Sequence, residues 1–374
     1  MTKRYLILQD GTVYAGEAFG APATTFGEIV FHTAMTGYQE VITNPIYHNQ
    51  IVMFTSPTIG AAGINHRADE SIVPTVKGVI VREIADVSTN RLQSMSLHDY
   101  LKRHNVPGIS QIDTRALARH LRKTGTQKAS IVDVPDAHAF DQLRAMVLTT
   151  RQVAQVSTPK AYANPGRGAN VVVLDFGLKN GILRMLSDFD ANVTVLPYNA
   201  TVDEVANLDP DGIVLSSGPG DPHQIPDETF DIIRQFQTRV PLFGIGLGHE
   251  LFAIANGATL QQMPVEHHGM NHPIREQITS RIMFATQGQG YAVNPDSVRE
   301  TDMFVTHIDM TDGVVQGLRH RDYPAFSVQF FPDTAPGPFE ATQAFDEFME
   351  RENIPENDES VFYGGAFQDF HREW

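Results

Sequence analysis

Residues 241–250 read Pro-Leu-Phe-Gly-Ile-Gly-Leu-Gly-His-Glu. An apolar run enters a turn with glycine at positions 244, 246 and 248, and a helical pattern leaves it. Few folds can house such a segment. A sharp strand-to-helix turn needs a buried strand, a helix that returns across the sheet, and backbone packed closely enough to require glycine. The layout is that of a nucleophile elbow, which lifts one side chain above a parallel sheet. Here the lifted position, Gly246, offers no side chain.

The flanking sequence agrees with that fold. From residue 170 short apolar strands alternate with amphipathic helices. Strands are expected at 171–175, 193–197, 212–215 and 242–245, and helices at 179–187, 202–208 and 227–236. Apolar strands separated by helices predict a largely parallel sheet covered on both faces. Ligands of such sheets bind at the carboxyl ends of the strands, where Asp175, residues 216–221 and Gly246 fall. Beyond Ile274 shorter strands are expected at 303–308, 313–317 and 325–330, then a closing helix at 339–350. The first half reads as mixed α and β, with strands at 4–9, 12–16 and 75–84 and helices at 96–105 and 113–124. Asp113 is suited to cap the second helix, because its carboxylate can accept from free amides. The fold class is therefore α/β. An N-terminal mixed α/β domain (1–150) and a turn-rich linker (151–169) precede a domain with a largely parallel central sheet (170–356). An acidic, aromatic tail (357–374) follows, read as frayed.

Composition removes several functions. A formal net charge of −16 argues against nucleic acid as a partner. No apolar run approaches a membrane span, and the N-terminus enters a strand pattern without a signal core, so a cytoplasmic protein is expected. The chain contains no cysteine, which excludes disulfides, thiolate metal sites and thiol nucleophiles together.

The remaining motifs divide into specific and unspecific. Ser216-Ser-Gly-Pro-Gly-Asp-Pro222 follows a strand and makes a rigid turn whose amides can face an anion or a developing oxyanion. Gly244-x-Gly-x-Gly248 is one residue short of a dinucleotide fingerprint. Asp175-Phe-Gly177 and His320-Arg-Asp322 imitate kinase triplets in reversed order, without the accompanying loop and lysine. Glu266-His-His268 with His272 lacks metal-specific spacing and reads as a polar loop, so no metal site is expected.

Taken in order, residues 212–222, 243–250, 266–273, 287–293 and 326–338 resemble a class I (triad-type) glutamine amidotransferase domain. Four segments of the chain narrow the resemblance. Residues 6–11, Phe31-His-Thr-Ala-Met-Thr-Gly-Tyr-Gln-Glu40, Pro107-Gly-Ile-Ser-Gln-Ile-Asp-Thr-Arg-Ala-Leu117 and Asp175-Phe-Gly-Leu-Lys179 are similar to the small subunit of carbamoyl phosphate synthetase. The resemblance covers roughly residues 1–350. It implies glutamine hydrolysis through a thioester on an elbow cysteine. A histidine near the C-terminus would act as base, with a carboxylate two residues on. It implies no cofactor in this chain, and a large-subunit partner that uses ATP and Mg. That partner receives ammonia through a tunnel and makes carbamoyl phosphate for pyrimidines and arginine. The pair would be a heterodimer or part of a higher oligomer.

Carried over position by position, the chemistry fails. The cysteine position is Gly246, the histidine position is Phe331, and only the carboxylate position, Asp333, keeps a usable group. In the glutamine pocket the resemblance places Ile46 where the family has serine and Glu250 where it has glutamine. Gly288 and Gln289 stand where it has asparagine and histidine. Gly218, Gly220, Leu247, Gly290 and Tyr291 match. Glycine has no atom to acylate and phenylalanine cannot accept a proton. Losing nucleophile or base alone costs a comparable hydrolase roughly 10⁶ in rate. The expectation is a small subunit that has lost glutamine hydrolysis, docks on the large subunit and supports ammonia-dependent synthesis. Two rival readings are an active glutaminase with a substitute nucleophile (Ser217, or a water held by Asp333 and His249) and a free-standing sensor paralogue.

Overall fold

The structure is a computed structural model that describes residues 2–85 and 87–352. The tail expected at 357–374 lies outside the described residues.

Alternating burial along the first strand, Lys3–Leu8, ends in three consecutive fully buried residues, Leu6, Ile7 and Leu8. A strand buried on both faces needs neighbours all round, and the first half supplies them by closing on itself. Seven strands form a barrel in the order Lys3–Leu8, Val13–Gly20, Pro107–Ser110, Gly78–Ile80, Gln50–Phe54, Thr25–His32 and Gln127–Val132. Leu6, Leu8, Ile29, Ile51, Met53, Ile80, Ile109 and Ile131 form part of one buried cluster within it. The strand Thr25–His32 runs parallel to Gln50–Phe54, which sets Glu28 opposite Gln50. The helix Thr114–Thr124 buries Leu117, Ala118 and Leu121, and Asp113 caps it by accepting from the Ala116 amide at 2.9 Å. The strand expected at 75–84 is divided. Its first part, Gly78–Ile80, belongs to the barrel, whereas Glu83–Ile84 leaves to pair with Thr58–Ile59.

The second half builds a ten-stranded sheet. Its parallel centre is Asn192–Pro197, Asn170–Asp175, Gly212–Leu215, Leu242–Ile245 and Ala325–Val328. Gly212–Leu215, Leu242–Ile245 and Ala325–Val328 are buried at every position, as a sheet covered on both faces requires. Helices Asn180–Asp188, Asp227–Phe236 and Leu247–Ala255 pack their apolar faces against it. The expected linker contributes a short helix, Gln152–Val156, and an edge strand, Tyr162–Asn164, paired to the sheet.

One expectation is overturned here. The stretch Glu266–His272 is not a loop. It lies inside the 17-residue strand Leu260–Glu276, which forms an antiparallel hairpin with Ile282–Val293. Register shifts between Gln262 and His267 and between Gly269 and His272 break its side-chain alternation, so the strand loses the period-2 signature. The closing segment is a 3₁₀ turn, Phe339–Ala341, followed by the helix Gln343–Glu352. Among the described residues no helix is long and apolar enough to cross a membrane.

Candidate functional site

Gly246 is the hinge between the strand Leu242–Ile245 and the helix Leu247–Ala255, with φ +58° and ψ −113°. Side chains rarely tolerate a positive φ, which is the strain a nucleophile elbow imposes. The flanking glycines answer to close approach. A β-carbon on Gly244 would lie 2.6 Å from the Gly248 carbonyl oxygen, and one on Gly248 would lie 2.2 Å from that of Leu215. The Gly246 amide donates to the Val328 carbonyl at 2.9 Å, and its own carbonyl accepts from the His249 amide at 3.0 Å.

Phe331 stands opposite the elbow. A β-carbon on Gly246 would be 3.4 Å from Phe331 Cε1 and 3.2 Å from Ser217 Cβ. The same ring reaches Gly288, whose β-carbon would lie 3.1 Å from Phe331 Cε2 and only 2.2 Å from Ile46 Cδ1. Ile46, Gly246, Gly288 and Phe331 are thus one packed unit, with an aliphatic and an aromatic side chain filling space beside two glycines.

Asp333 does not face an imidazole. Lys179 Nζ lies 2.9 Å from its Oδ1 and 2.8 Å from its Oδ2, and both side chains are fully buried. Lys179, the residue before helix Asn180–Asp188, also sits 4.5 Å above the Phe331 ring centroid. That is a cation–π contact, so the ring and the carboxylate share one ammonium. Nearby, Glu70 accepts from the Gly181 amide at 2.8 Å and pairs with Arg184.

No hydrogen bond links the candidate substitute groups to one another. Ser217 Oγ is buried without a hydrogen-bond partner. His249 Nδ1 is 2.9 Å from Ser327 Oγ, and burial pushes this imidazole down to about 3, leaving it neutral at physiological pH. Asp333 Oδ1 accepts from Lys179 and Oδ2 lies within ion-pair distance of the same ammonium.

Ile46, Gly218, Gly220, Leu247, Glu250, Gly288, Gln289, Gly290 and Tyr291 all line one cavity of about 260 Å³. Gly246, Phe331 and Asp333 lie outside its lining. Sequence reasoning pointed to Asp221 as a ligand position and to Glu266 as part of a polar loop, but missed Glu28 and Gln50 from the barrel and Gln329 just past the strand Ala325–Val328. The signal was a charged residue, Glu28, inside the otherwise apolar run Thr25–His32. Gln50 Nε2 donates to Glu266 Oε2 at 3.1 Å, and His268 Nε2 lies 2.7 Å from the same oxygen. Gln329 Nε2 donates to Glu250 Oε1 at 3.1 Å. Burial, with Gln329 opposing and Asp221 and Glu266 adding, pushes the Glu250 carboxyl up to about 8. Burial and then Glu266 push Glu28 up to about 7. Burial first, then Asp221 and Glu250, raise Tyr291 to about 12.

The hairpin also gathers His267, His272 and Asp309, with one nitrogen or oxygen from each within 4.8 Å of the others. Their hydrogen bonds run inward: His272 Nδ1 to Asp309 Oδ2 at 3.2 Å, His267 Nδ1 to Gln287 Oε1 at 2.9 Å, and Gln287 Nε2 to Asp309 Oδ2 at 2.8 Å. Burial raises the Asp309 carboxyl, but its bonds from His272, Thr311 and Gln287 outweigh this and depress it.

Comparison with known proteins places this geometry in a family. Residues 6–131 match the carbamoyl-phosphate synthase small chain, CPSase domain, and residues 172–351 match glutamine amidotransferase class-I. The carbamoyl phosphate synthase pyrimidine-specific small chain of Lactiplantibacillus plantarum is 53% identical over 93% of this chain and 95% of its own length. The carbamoyl phosphate synthase small chains of Streptococcus pyogenes and Streptococcus mutans are each 52% identical over 94% of this chain and 97% of theirs. With an elbow, a barrel-and-sheet architecture and near full-length identity of this order, the chain belongs to the carbamoyl phosphate synthase small-chain family.

Proposed function

We propose that this chain docks as the small subunit on an ATP-using large subunit and does not hydrolyse glutamine, so that the assembly makes carbamoyl phosphate from free ammonia. The observation that carries the reading is the Phe331 ring packed against Gly246. A thioester needs a sulfur and a base to deprotonate it, and this elbow presents a glycine facing a hydrocarbon ring. Binding suffers with the chemistry. An isoleucine at position 46 and a glycine at 288 leave a polar substrate without partners, at about 1–3 kcal/mol for each one lost. The pyrimidine-specific name of one relative supports pyrimidine synthesis as the pathway served. ATP and Mg belong to the large subunit in this reading.

The test purifies both chains together and compares nitrogen sources. Ammonia is expected to support synthesis, while glutamine yields none and glutamate release stays at the blank. Glutamine-driven synthesis at ordinary rates would sink the proposal. Failure of the two chains to co-purify would favour a free-standing sensor instead.

A further inference from the structure

The cavity at the elbow has a chemistry that a vacated glutamine site does not require. Four carboxylates line it, from Glu28, Asp221, Glu250 and Glu266, and no lysine or arginine does. Glu250 is 4% exposed, Gln329 1% and Gln50 8%. The two glutamines give their amide hydrogens to Glu250 and Glu266, and the Oε1 atom of each is buried with no hydrogen-bond partner. Such an orphaned acceptor costs about 1–3 kcal/mol. The His48 and His268 imidazoles share the lining, His268 2.7 Å from Glu266 Oε2, but no imidazole is paired with Glu28, Asp221 or Glu250 in it, and ionising these carboxyls together out of water adds electrostatic self-repulsion. One kind of ligand removes both costs: a positively charged group that donates in several directions and accepts in none.

We propose that this cavity binds an –NH₃⁺ group, either ammonium itself or a small primary alkylammonium, held by Glu28, Glu250 and Glu266 and by the free carbonyl oxygens of Gln50 and Gln329. The inference rests on the reading that glutamine no longer occupies the cavity, and it names the occupant that replaces it. Ammonium there would be the protonated form of the nitrogen source, held beside the elbow. A cavity of about 260 Å³ leaves room for companion waters or a short alkyl chain. Burial holds Glu250 and Glu28 near neutrality, at about 8 and about 7, and a bound cation favours their ionised forms. Binding at neutral pH therefore releases protons.

Calorimetric titration of the full chain with ammonium chloride, methylammonium chloride and sodium chloride, at constant ionic strength in two buffers of different ionisation heat, tests this. Saturable heat is expected for the first two salts and not for sodium, and it should differ between the two buffers in proportion to the protons released. Glu250→Gln is expected to weaken binding about tenfold or more. Asp221→Asn, at a partly exposed position, is the second variant and should weaken it less. Equal behaviour of ammonium and sodium, or unchanged binding in a cooperatively melting Glu250→Gln, overturns the proposal while leaving the non-hydrolytic reading intact. Glutamate released from glutamine in the same preparation overturns both.

Discussion

At the scale of single residues, Gly246 holds a turn whose backbone suits glycine and few others. Its φ of +58° is strained for any L-residue but glycine. Gly246→Cys is therefore expected to destabilise the chain by about 1–3 kcal/mol, and a thermal melt of the variant at or above the parent would contradict this. Gly288 is tied to Ile46 in the same way, since any β-carbon at 288 meets Ile46 Cδ1 at 2.2 Å. In a double-mutant cycle, Gly288→Ala should cost more beside Ile46 than beside Ile46→Ala, with coupling of about 0.5–3 kcal/mol measured by denaturant unfolding. Additive costs would show that the two do not pack as described. The buried Lys179–Asp333 pair makes a third case. Lys179→Met leaves a carboxylate uncompensated and should cost about 3–5 kcal/mol, and adding Asp333→Leu should recover most of it. The identity of these residues was readable from the sequence, but their contacts were not. The residues at 46, 246, 288 and 331, far apart in the sequence, meet in space.

At the scale of elements, the parallel strands and their helices follow from apolar runs and helical spacing. Gly212–Leu215, Asp227–Phe236 and Leu242–Ile245 lie where the pattern puts them. The long hairpin did not show itself. Polar residues and two register shifts erase the alternation of Leu260–Glu276, so even its pairing with the next strand, Ile282–Val293, leaves no period-2 trace in the sequence. With the hairpin went Glu266 and its role in the cavity. Helix Leu247–Ala255 carries a pH-dependent prediction. Glu250 titrates at about 8 in the fold against 4.5 outside it, so its contribution is full below 4.5 and lost as pH rises toward 8. His32 and His249, pushed down to about 3, and His307, to about 4, act in the opposite sense, contributing above pH 6.5 and losing that as pH falls. Between pH 6.5 and 8 the imidazole contribution is complete while that of Glu250 is still declining. Glu250→Gln should flatten the fall in melting temperature across that window, raising it at pH 8. An unchanged slope would refute the assignment.

At the scale of the whole molecule, the two halves were legible as two kinds of α/β structure, but closure of the first into a barrel was not. Closure depends on which strands meet, here Lys3–Leu8 with Gln127–Val132, and short apolar strands look alike whether a sheet closes or stays open. The cavity is equally a product of assembly. The barrel supplies Glu28 and Gln50, the 3₁₀ turn Pro45–Tyr47 before its strand Gln50–Phe54 supplies Ile46, and the second half of the chain supplies most of the rest. Rebuilding the triad residues alone should therefore fail. If the chain is non-hydrolytic as proposed, Gly246→Cys with Phe331→His is expected to release glutamate no faster than the parent, since Ile46, Glu250 and Gly288 offer glutamine no new polar partner. Turnover in that double variant would show that recognition had survived.

The aromatic lid over the elbow has a practical corollary. A thiol installed at position 246 would be the sole sulfhydryl in the polypeptide, so alkylation by a small reagent would time a single event, the swing of the Phe331 ring away from the turn. A slow reaction that quickens in Phe331→Ala would make that ring a kinetic gate rather than inert filling.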